Sequence, residues 1–184
     1  IRLAASLPGR NAHEKMRATR SNGQAISFSH QGPVRQGGVA ILLYPYQGEW
    51  HLPLIKRTEY QGVHSGQVSL PGGKKDPADS SLIHTAIREV NEELGLNLGT
   101  DHVVGTLTEL YINASHFNIL PVVLALDEKP VVNPEPREVE QVITASLENL
   151  LLPVTRKEKE LVVRGHQLWA PYYEVNQQVV WGAT

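Results

Sequence analysis

Three glutamates, Glu89, Glu92 and Glu93, stand within five consecutive residues of the chain. At 3.6 residues per turn, this spacing places their side chains within about one turn of a helix. Carboxylates this close repel one another, and no lysine lies between them. Clustered hard oxygen ligands are the kind that Mg²⁺ or Mn²⁺ binds, usually together with substrate phosphates. The alternative is a solvated acidic face, because glutamates are common on exposed helices.

The element that must position these carboxylates is a helix predicted over Ser80–Leu94. Its apolar residues recur at i, i+3, i+4, i+7 and i+11, which gives one continuous stripe. Asp79, Ser80 and Ser81 offer N-caps, and Gly95 suits the position just after the helix. On a helical wheel the glutamates lie roughly 180–280° from the start of the stripe. The wheel therefore predicts a solvent-side acidic patch.

Further elements are predicted from apolar runs bounded by Gly and Pro. Short helices are predicted over Asn11–Arg20 and Leu147–Leu152, and Pro53 predicts an edge position or a bulge. Strands around one strong amphipathic helix indicate an α/β (α+β) domain with a mixed sheet. Residues 1–184 are interpreted as a single domain, with 1–33 as an N-terminal helix and arm. The predicted strands are Gly38–Tyr44, Trp50–Arg57, Gln67–Leu70, Val103–Leu110, Ile119–Leu126 and Val139–Thr144, followed by a hairpin of Leu168–Val175 and Val179–Trp181.

Composition excludes several classes of protein. Seventeen basic and nineteen acidic residues give a net charge of −2. A protein that binds a nucleic-acid polymer usually carries an excess of basic residues, so such a partner is not expected. No apolar run is long enough to span a bilayer, so no membrane partner is expected. The chain has no cysteine, which excludes disulfides, thiolate zinc sites and a cysteine nucleophile. The lack of cysteine also agrees with a cytoplasmic location, which is our expectation.

Gly72 and Gly73 precede the helix, at a point where a backbone without side chains can approach a phosphate closely. By itself a Gly-Gly turn before a helix is a weak signal. The P-loop pattern and G-x-G-x-x-G are absent from the sequence, and so are H-E-x-x-H and G-x-S-x-G. These absences argue against the corresponding nucleotide-binding folds, zinc proteases and α/β-hydrolases.

The segment at about 73–96 strongly resembles the Nudix box. That family's signature is Gly, five residues, Glu, seven residues and then R-E-U-x-E-E-x-G-U, where U is aliphatic. Residues 88–96 match the second half at every fixed position. Asp79 stands where the signature has its first Glu, and eight residues separate it from Arg88. That departure resembles the coenzyme A pyrophosphatase-like branch of the family.

A second motif supports this branch. Residues 54–58 followed by 64–73 resemble the upstream motif associated with coenzyme A recognition, and the tail at 179–184 also looks like the branch. The branch usually has Arg where this chain has Gly62, and Phe where it has Leu70. A missing Arg removes a potential bidentate phosphate partner. ADP-ribose, a dinucleotide, an NDP-sugar or an NTP therefore stays open as an alternative substrate.

The resemblance implies a Nudix fold, an α/β/α sandwich around a mixed β-sheet. It also implies a metal-dependent pyrophosphohydrolase in which water attacks phosphorus, with coenzyme A or an acyl-CoA as the first substrate to test. The implied cofactor is Mg²⁺ or Mn²⁺. Glu92 and Glu93 would be its principal ligands, Glu89 a direct or water-mediated ligand, and the Gly73 carbonyl a further one. Arg88 would orient a box carboxylate through a salt bridge.

Other roles are also implied by the resemblance. Glu138 is the candidate general base, with Glu109 and Glu140 as rivals, and Asp79 could cap the helix, pair with Arg88, or do both. A nucleotide-sensing module without catalysis is the alternative to an enzyme, although such modules usually lose box carboxylates. Nudix proteins often dimerise, and residues 11–33 could be an arm exchanged in a homodimer. The residues that could meet a small-molecule nucleotide substrate are Arg57, Lys56, His64, Gly72 and Lys74.

Overall fold

A computed structural model describes residues 7–24, 28–58, 66–163 and 165–184. Within these ranges eleven strands form two sheets, accompanied by three α-helices. The helices are α1 (Arg10–Glu14), α2 (Leu82–Leu94) and α3 (Leu147–Leu151). The strands are β1 (Arg35–Tyr46), β2 (Glu49–Arg57), β3 (Val68–Ser69), β4 (Gly72–Lys74), β5 (Val103–Thr106), β6 (Leu110–Ile112), β7 (Phe117–Ala125), β8 (Val139–Ser146), β9 (Arg156–Val163), β10 (His166–Val175) and β11 (Gln178–Trp181).

The larger sheet is mixed, as the sequence predicts. Its order is β3-β2-β1-β7-β5, with β4 added to β1, β6 to β7 and β8 to β2. β1 and β7 run parallel, whereas β1 pairs antiparallel with both β2 and β4. A parallel pair requires a long crossover connection, and α2 lies within the connection from β1 to β7.

Alternate side chains of β1 face opposite sides of this sheet. Ala40 and Leu42 join the core under α2, whereas Ile41 and Leu43 pack against a second cluster on the other face. The second cluster includes side chains from α3, β10 and β11. The sheet is therefore covered on both faces, and the expected α/β fold class is confirmed.

Gly38 in β1 allows α2 to lie directly on the sheet. A Cβ atom at this position would collide with the backbone of α2 at Leu82 and Ala86. Gly38 is also the register partner of Gly73 in β4. Since β1 contacts both elements, the later turn of α2, which carries the glutamates, is brought beside β4.

The strand predicted over Val103–Leu110 is divided in the structure into β5 and β6, both paired with β7. Three residues separate the two strands, but only two separate their partners Val122 and Ile119 on β7. One of those two is Pro121, which has no N–H for a ladder hydrogen bond. The extra residue and the missing donor together interrupt the predicted strand.

The sequence predicts no strand over Gly72–Lys74 or Arg156–Val163, yet these residues form β4 and β9. β9 alternates charges rather than apolar and polar residues, so it lacks the usual period of a half-buried strand. It is an edge strand of the smaller sheet, ordered β11-β10-β9. Charged side chains are well suited to such an edge because they oppose pairing with other chains.

The N-terminal helix is shorter than the predicted Asn11–Arg20. α1 ends at Glu14 and has no buried residue, while Thr19 forms a β-bridge with Trp169 of β10. A helix without a packed face receives little tertiary stabilisation, so pairing with the smaller sheet determines the residues that follow. The helix predicted at 147–152 is confirmed as α3. No helix in the described part of the chain is both long and apolar enough to cross a bilayer.

Pro53 does not lie on an edge strand, but it has a strand partner on one side only. Its strand β2 pairs with β8 from His51 to Arg57. On the opposite side β2 pairs with β1 up to His51 and with β3 from Ile55. Pro53 therefore lies in a gap between two partners, where no ladder bond is lost on that side. The predicted irregularity occurs further along, where the register with β8 shifts between Lys56 and Arg57.

Candidate active site

The helix that carries the glutamates has the predicted ends to within two residues. Ser81 is its N-cap, and the Ser81 hydroxyl accepts a hydrogen bond from the His84 N–H at 3.2 Å. Gly95 ends the helix with a left-handed φ of 65°, a conformation that glycine adopts at little cost. The helix therefore begins and ends by local signals that the sequence displays.

Glu93 is buried, with only 1% of its surface exposed, so the predicted solvent-side position is wrong for this residue. Its Oε2 accepts a hydrogen bond from the Gly72 N–H at 2.8 Å, and its Oε1 accepts one from Arg57 Nη1 at 3.1 Å. A helical wheel considers one packed face alone. Here β4 packs against a second side of α2, and Arg57 of β2 reaches Glu93.

Burial raises the pKa of Glu93 to about 7, and the charges of Glu89 and Glu138 add to the effect. The Gly72 N–H and the Arg57 guanidinium act in the opposite direction. Both stabilise the carboxylate, but they do not fully compensate for the loss of water. Glu93 is therefore a buried carboxylate with incomplete charge compensation.

Glu89 lies against the backbone of Gly73. A Cβ atom at Gly73 would overlap the Glu89 carboxylate, so glycine is what leaves room for it. The side chain of Glu89 is 13% exposed, and burial raises its pKa, with further contributions from Glu92 and Glu138 and opposition from Arg88. The Gly73 carbonyl oxygen lies close to Gly37 of β1, since a Cβ at Gly37 would collide with it. Its role as a metal ligand stays a prediction.

Glu92 is the one box carboxylate of the three that matches the solvent-side prediction, with a side chain 60% exposed. Its Oε2 accepts a hydrogen bond from Arg88 Nη1 at 2.8 Å. Arg88 Nη2 lies 2.9 Å from Glu89 Oε1 and donates to the Lys74 carbonyl at 3.1 Å. Arg88 thus contacts two of the three box glutamates, in line with the orienting role that the resemblance implies.

Asp79 pairs with Arg88 and does not cap α2. Arg88 Nε donates to Oδ1 at 3.0 Å and Nη2 donates to Oδ2 at 3.1 Å, a bidentate arrangement. Oδ2 also accepts from the Asp76 N–H at 2.9 Å and from Thr85 Oγ1 at 2.9 Å. The hydrogen bonds from Arg88 hold the pKa of Asp79 well below its usual range even though Asp79 is 8% exposed.

Glu138 is exposed and directly precedes β8. Its charge raises the pKa of both Glu89 and Glu93, so it acts on the same site as the buried pair. The rivals lie elsewhere: Glu140 pairs with Lys56 at 2.6 Å, and Glu109 accepts from Asn118 Nδ2 at 2.6 Å. The assignment of Glu138 as general base stays a prediction.

Arg57 and Gly72 contact the box directly through Glu93. Lys56 does not, because successive side chains of a strand face opposite sides, and it pairs with Glu140. The Lys74 side chain is exposed beside Gly73. His64, the remaining candidate for phosphate contact, lies outside the described residues, as does Gly62.

The site offers carboxylate oxygens, which are the ligands that a hard divalent cation prefers. Partly buried Glu89 and buried Glu93 offer oxygen ligands, and together with Glu138 they place three carboxyl groups near the two guanidinium groups of Arg57 and Arg88. Among the described residues no three His, Asp or Glu side chains are already grouped as a metal site. Glu92 is the most exposed of the three box carboxylates and shares Arg88 with Glu89.

Comparison with known proteins identifies the family. A model of the NUDIX domain matches residues 34–164, which include β1, the box and β8. The chain belongs to the Nudix family. It is 34% identical to the mouse mitochondrial coenzyme A diphosphatase NUDT8 over 150 residues, which cover 80% of this chain and 67% of the mouse protein. It is 33% identical to the human protein of the same name, over 80% of this chain and 59% of the human protein.

The chain thus spans about three fifths to two thirds of these Nudix relatives. The coenzyme A pyrophosphatase-like branch expected from the sequence is confirmed, and so is the expected class of enzyme at the level of the family. A solved MutT/nudix family protein from Enterococcus faecalis superimposes with a TM-score of 0.56 and 14% identity, over 99% of this chain and 64% of the other. That similarity confirms the Nudix fold.

Sequence reasoning did not identify Thr85 as part of the site. Its hydroxyl contacts Asp79, yet a threonine inside a helix gives no signal of its own in a single sequence. The position was visible as a polar residue directly beside Ala86 of the apolar stripe. A polar side chain next to a buried stripe can be recognised as a candidate for an internal hydrogen bond.

Proposed function

We propose that this chain is a metal-dependent pyrophosphohydrolase that cleaves the diphosphate linkage of coenzyme A or an acyl-CoA. Water would attack phosphorus, and the products would be adenosine 3′,5′-bisphosphate and phosphopantetheine or its acyl derivative. The observation that carries the proposal is the burial of Glu93 beside partly buried Glu89, where loss of water raises the pKa of both carboxyl groups although Arg57 and Arg88 are paired with them. The mouse and human relatives named as coenzyme A diphosphatases support the choice of substrate.

Glu89, Glu92 and Glu93 are the residues that would hold Mg²⁺ or Mn²⁺. The bound cation supplies neutralisation of the diphosphate and a lower pKa for the attacking water. Arg57 compensates part of the Glu93 charge, and Arg88 restrains Glu89 and Glu92. Gly73 leaves the space that Glu89 occupies. The chain thus supplies positioned oxygen ligands for a cation, and positioning together with electrostatic stabilisation is the main contribution a protein makes to phosphoryl chemistry.

Glu138 is the proposed general base. It is exposed, so a water molecule can reach it, and it lies close enough to raise the pKa of both buried glutamates. An exposed carboxylate can accept the proton of the attacking water and pass it to solvent. Lys74, exposed at the end of β4, is the proposed phosphate contact at the rim of the site.

One of the two alternative functions has specific support. Gly62 in place of the usual Arg favours another nucleoside diphosphate, such as ADP-ribose, a dinucleotide or an NDP-sugar. A sensing module without catalysis is disfavoured, because the chain retains Glu89, Glu92 and Glu93.

The cytoplasmic location and the homodimer stay predictions. The mouse and human relatives are named as mitochondrial proteins. Sedimentation and a fluorescent fusion of the full-length protein would test these two.

The decisive experiment is incubation of the protein with coenzyme A and Mg²⁺ or Mn²⁺, followed by chromatography of the products. Glu93→Gln is the blank, and Glu128→Gln, which replaces an exposed glutamate outside the box, is the matched control. We expect adenosine 3′,5′-bisphosphate from the wild type and the control, only when metal is present. If the folded wild-type protein leaves coenzyme A intact but cleaves ADP-ribose, coenzyme A is refuted as the substrate and ADP-ribose takes its place. Full activity in Glu93→Gln would refute the mechanism.

A further inference from the structure

The ion pair between Asp79 and Arg88 is made by a shorter acid than the glutamate of the Nudix signature. Both Asp79 oxygens nevertheless reach Arg88, at 3.0 and 3.1 Å. A bidentate pair requires the carboxylate to lie in the plane of the guanidinium. A group that fixes the rotation of the Asp79 side chain would therefore also fix Arg88.

Thr85 has the placement that such a group requires. It is completely buried and lies one turn before Arg88 on α2. Its Oγ1 is 2.9 Å from Asp79 Oδ2 and 3.2 Å from the Ser81 carbonyl oxygen. A hydroxyl has a single proton, and a hydrogen bond to a charged acceptor is the stronger of the two options. The Thr85 hydroxyl therefore donates its hydrogen bond to the Asp79 carboxylate and not to the Ser81 carbonyl.

Three donors meet at Oδ2 of Asp79. The Asp76 N–H and Thr85 Oγ1 each lie 2.9 Å from Oδ2, and Arg88 Nη2 lies 3.1 Å from it, while Oδ1 accepts from Arg88 Nε. The Asp76 N–H and the Thr85 hydroxyl thus hold a carboxylate that the guanidinium contacts through both oxygens. Arg88 then directs Nη1 to Glu92 and Nη2 to Glu89. A series of direct contacts consequently leads from Thr85 to two box glutamates.

We propose that Thr85 is a positioning residue, whose buried hydroxyl orients Asp79 and through it Arg88, Glu89 and Glu92. Its consequence for turnover rests on the proposed function, but its consequence for the geometry of the carboxylates does not. The competing explanation is a purely local one, in which the hydroxyl only bonds to the Ser81 carbonyl within the helix. The two explanations differ in what happens to cation binding when the hydroxyl is removed.

The test measures Mn²⁺ binding without substrate, by electron paramagnetic resonance of free Mn²⁺. Thr85→Val keeps the shape and removes the hydroxyl, whereas Thr85→Ser keeps the hydroxyl and removes the methyl group. We expect Thr85→Val to weaken Mn²⁺ binding roughly tenfold, the lower end for outer partners of metal ligands, since the Asp76 N–H still holds Oδ2. Thr85→Ser should stay within about twofold of wild type, because the bond to Asp79 is retained.

Val122→Ala separates this effect from a general loss of stability. Val122 is fully buried in the core under α2 but lies on β7, outside the hydrogen-bonded series. We expect it to lower the melting temperature and to leave Mn²⁺ binding unchanged. If Thr85→Val does not fold, Thr85→Ala gives the same comparison without a second methyl group near Asp79.

Three results would overturn the proposal: Mn²⁺ binding by Thr85→Val equal to wild type, equal impairment in Thr85→Ser, or equal impairment in Val122→Ala. Turnover provides a second readout, in which kcat of Thr85→Val should fall by a larger factor than KM rises. If the wild type cleaves no coenzyme A, the proposed function fails, and the Mn²⁺ comparison still decides the role of Thr85.

Discussion

Replacing Glu93 by Gln should change how the stability of the metal-free protein depends on pH. A carboxylate whose pKa rises from its ordinary value of 4.5 to about 7 holds a proton in the folded state between these pH values. In the unfolded state it has already lost that proton. Stability therefore falls as pH rises from 4.5 to 7 and stays low above 7.

The size of the effect follows from the pKa. At 1.36 kcal/mol for each pKa unit, a rise to about 7 corresponds to about 3 kcal/mol of stability lost above neutral pH. Glutamine is neutral at every pH and resembles the protonated acid, so the variant lacks this loss. Relative to wild type, Glu93→Gln should therefore gain about 3 kcal/mol between pH 4.5 and pH 8.

The assay is urea unfolding of both proteins in EDTA at several pH values in this range. Only the difference between the two proteins is interpreted, because histidines and other groups titrate in both. Glu128→Gln, an exposed glutamate, should show a flat difference. Mg²⁺ at pH 8 should stabilise the wild type more than Glu93→Gln, because a ligand stabilises the state that binds it. A difference between wild type and Glu93→Gln that stays constant from pH 4.5 to 8, to within about 0.5 kcal/mol, would refute the reasoning.

Three further predictions follow from the site. Gly73→Ala should lower kcat at least roughly tenfold with little change in melting temperature, because the new Cβ displaces the flexible end of Glu89; unchanged kinetics would contradict this. Arg57→Ala should cost about 2 kcal/mol at pH 8 in urea unfolding, since it leaves buried Glu93 without its cation, and Arg57→Lys should recover part of the loss. Glu138→Gln should lower kcat roughly 100-fold while Mn²⁺ affinity changes little, as expected for a general base; a loss of Mn²⁺ binding of the same size would make it a metal ligand instead.

The elements that the sequence predicted best are those whose signals are local. α2 has an apolar stripe, a serine N-cap and a glycine in the left-handed region, and each signal is present in consecutive residues. The division of the strand at Val103–Leu110 depends on a proline in its partner β7, which no local pattern shows. β9 is likewise defined by its pairing with β10 rather than by its own alternation of charges.

The sequence predicted which residues form the site but not how they are arranged in space. The box residues follow from spacing and resemblance, whereas the burial of Glu93 depends on β2 and β4, which arrive from elsewhere in the sequence. The same applies to Lys56 and Arg57, adjacent residues that face opposite sides of β2, so that only Arg57 reaches the box. Gly73 also has a role that the sequence did not predict, since its missing side chain provides space for Glu89.

The cost of these buried carboxylates is itself an argument for a cation. A protein without a ligand for Glu93 would be more stable with glutamine or an apolar residue there, because burial dominates the shift of its pKa. Arg57 and the Gly72 N–H compensate only partly, while Glu89 and Glu138 increase the negative charge. A divalent cation would attract each of these carboxylates and could outweigh their mutual repulsion. The same excess of negative charge that weakens the metal-free fold would therefore become the source of affinity for the cation and, with it, for the diphosphate.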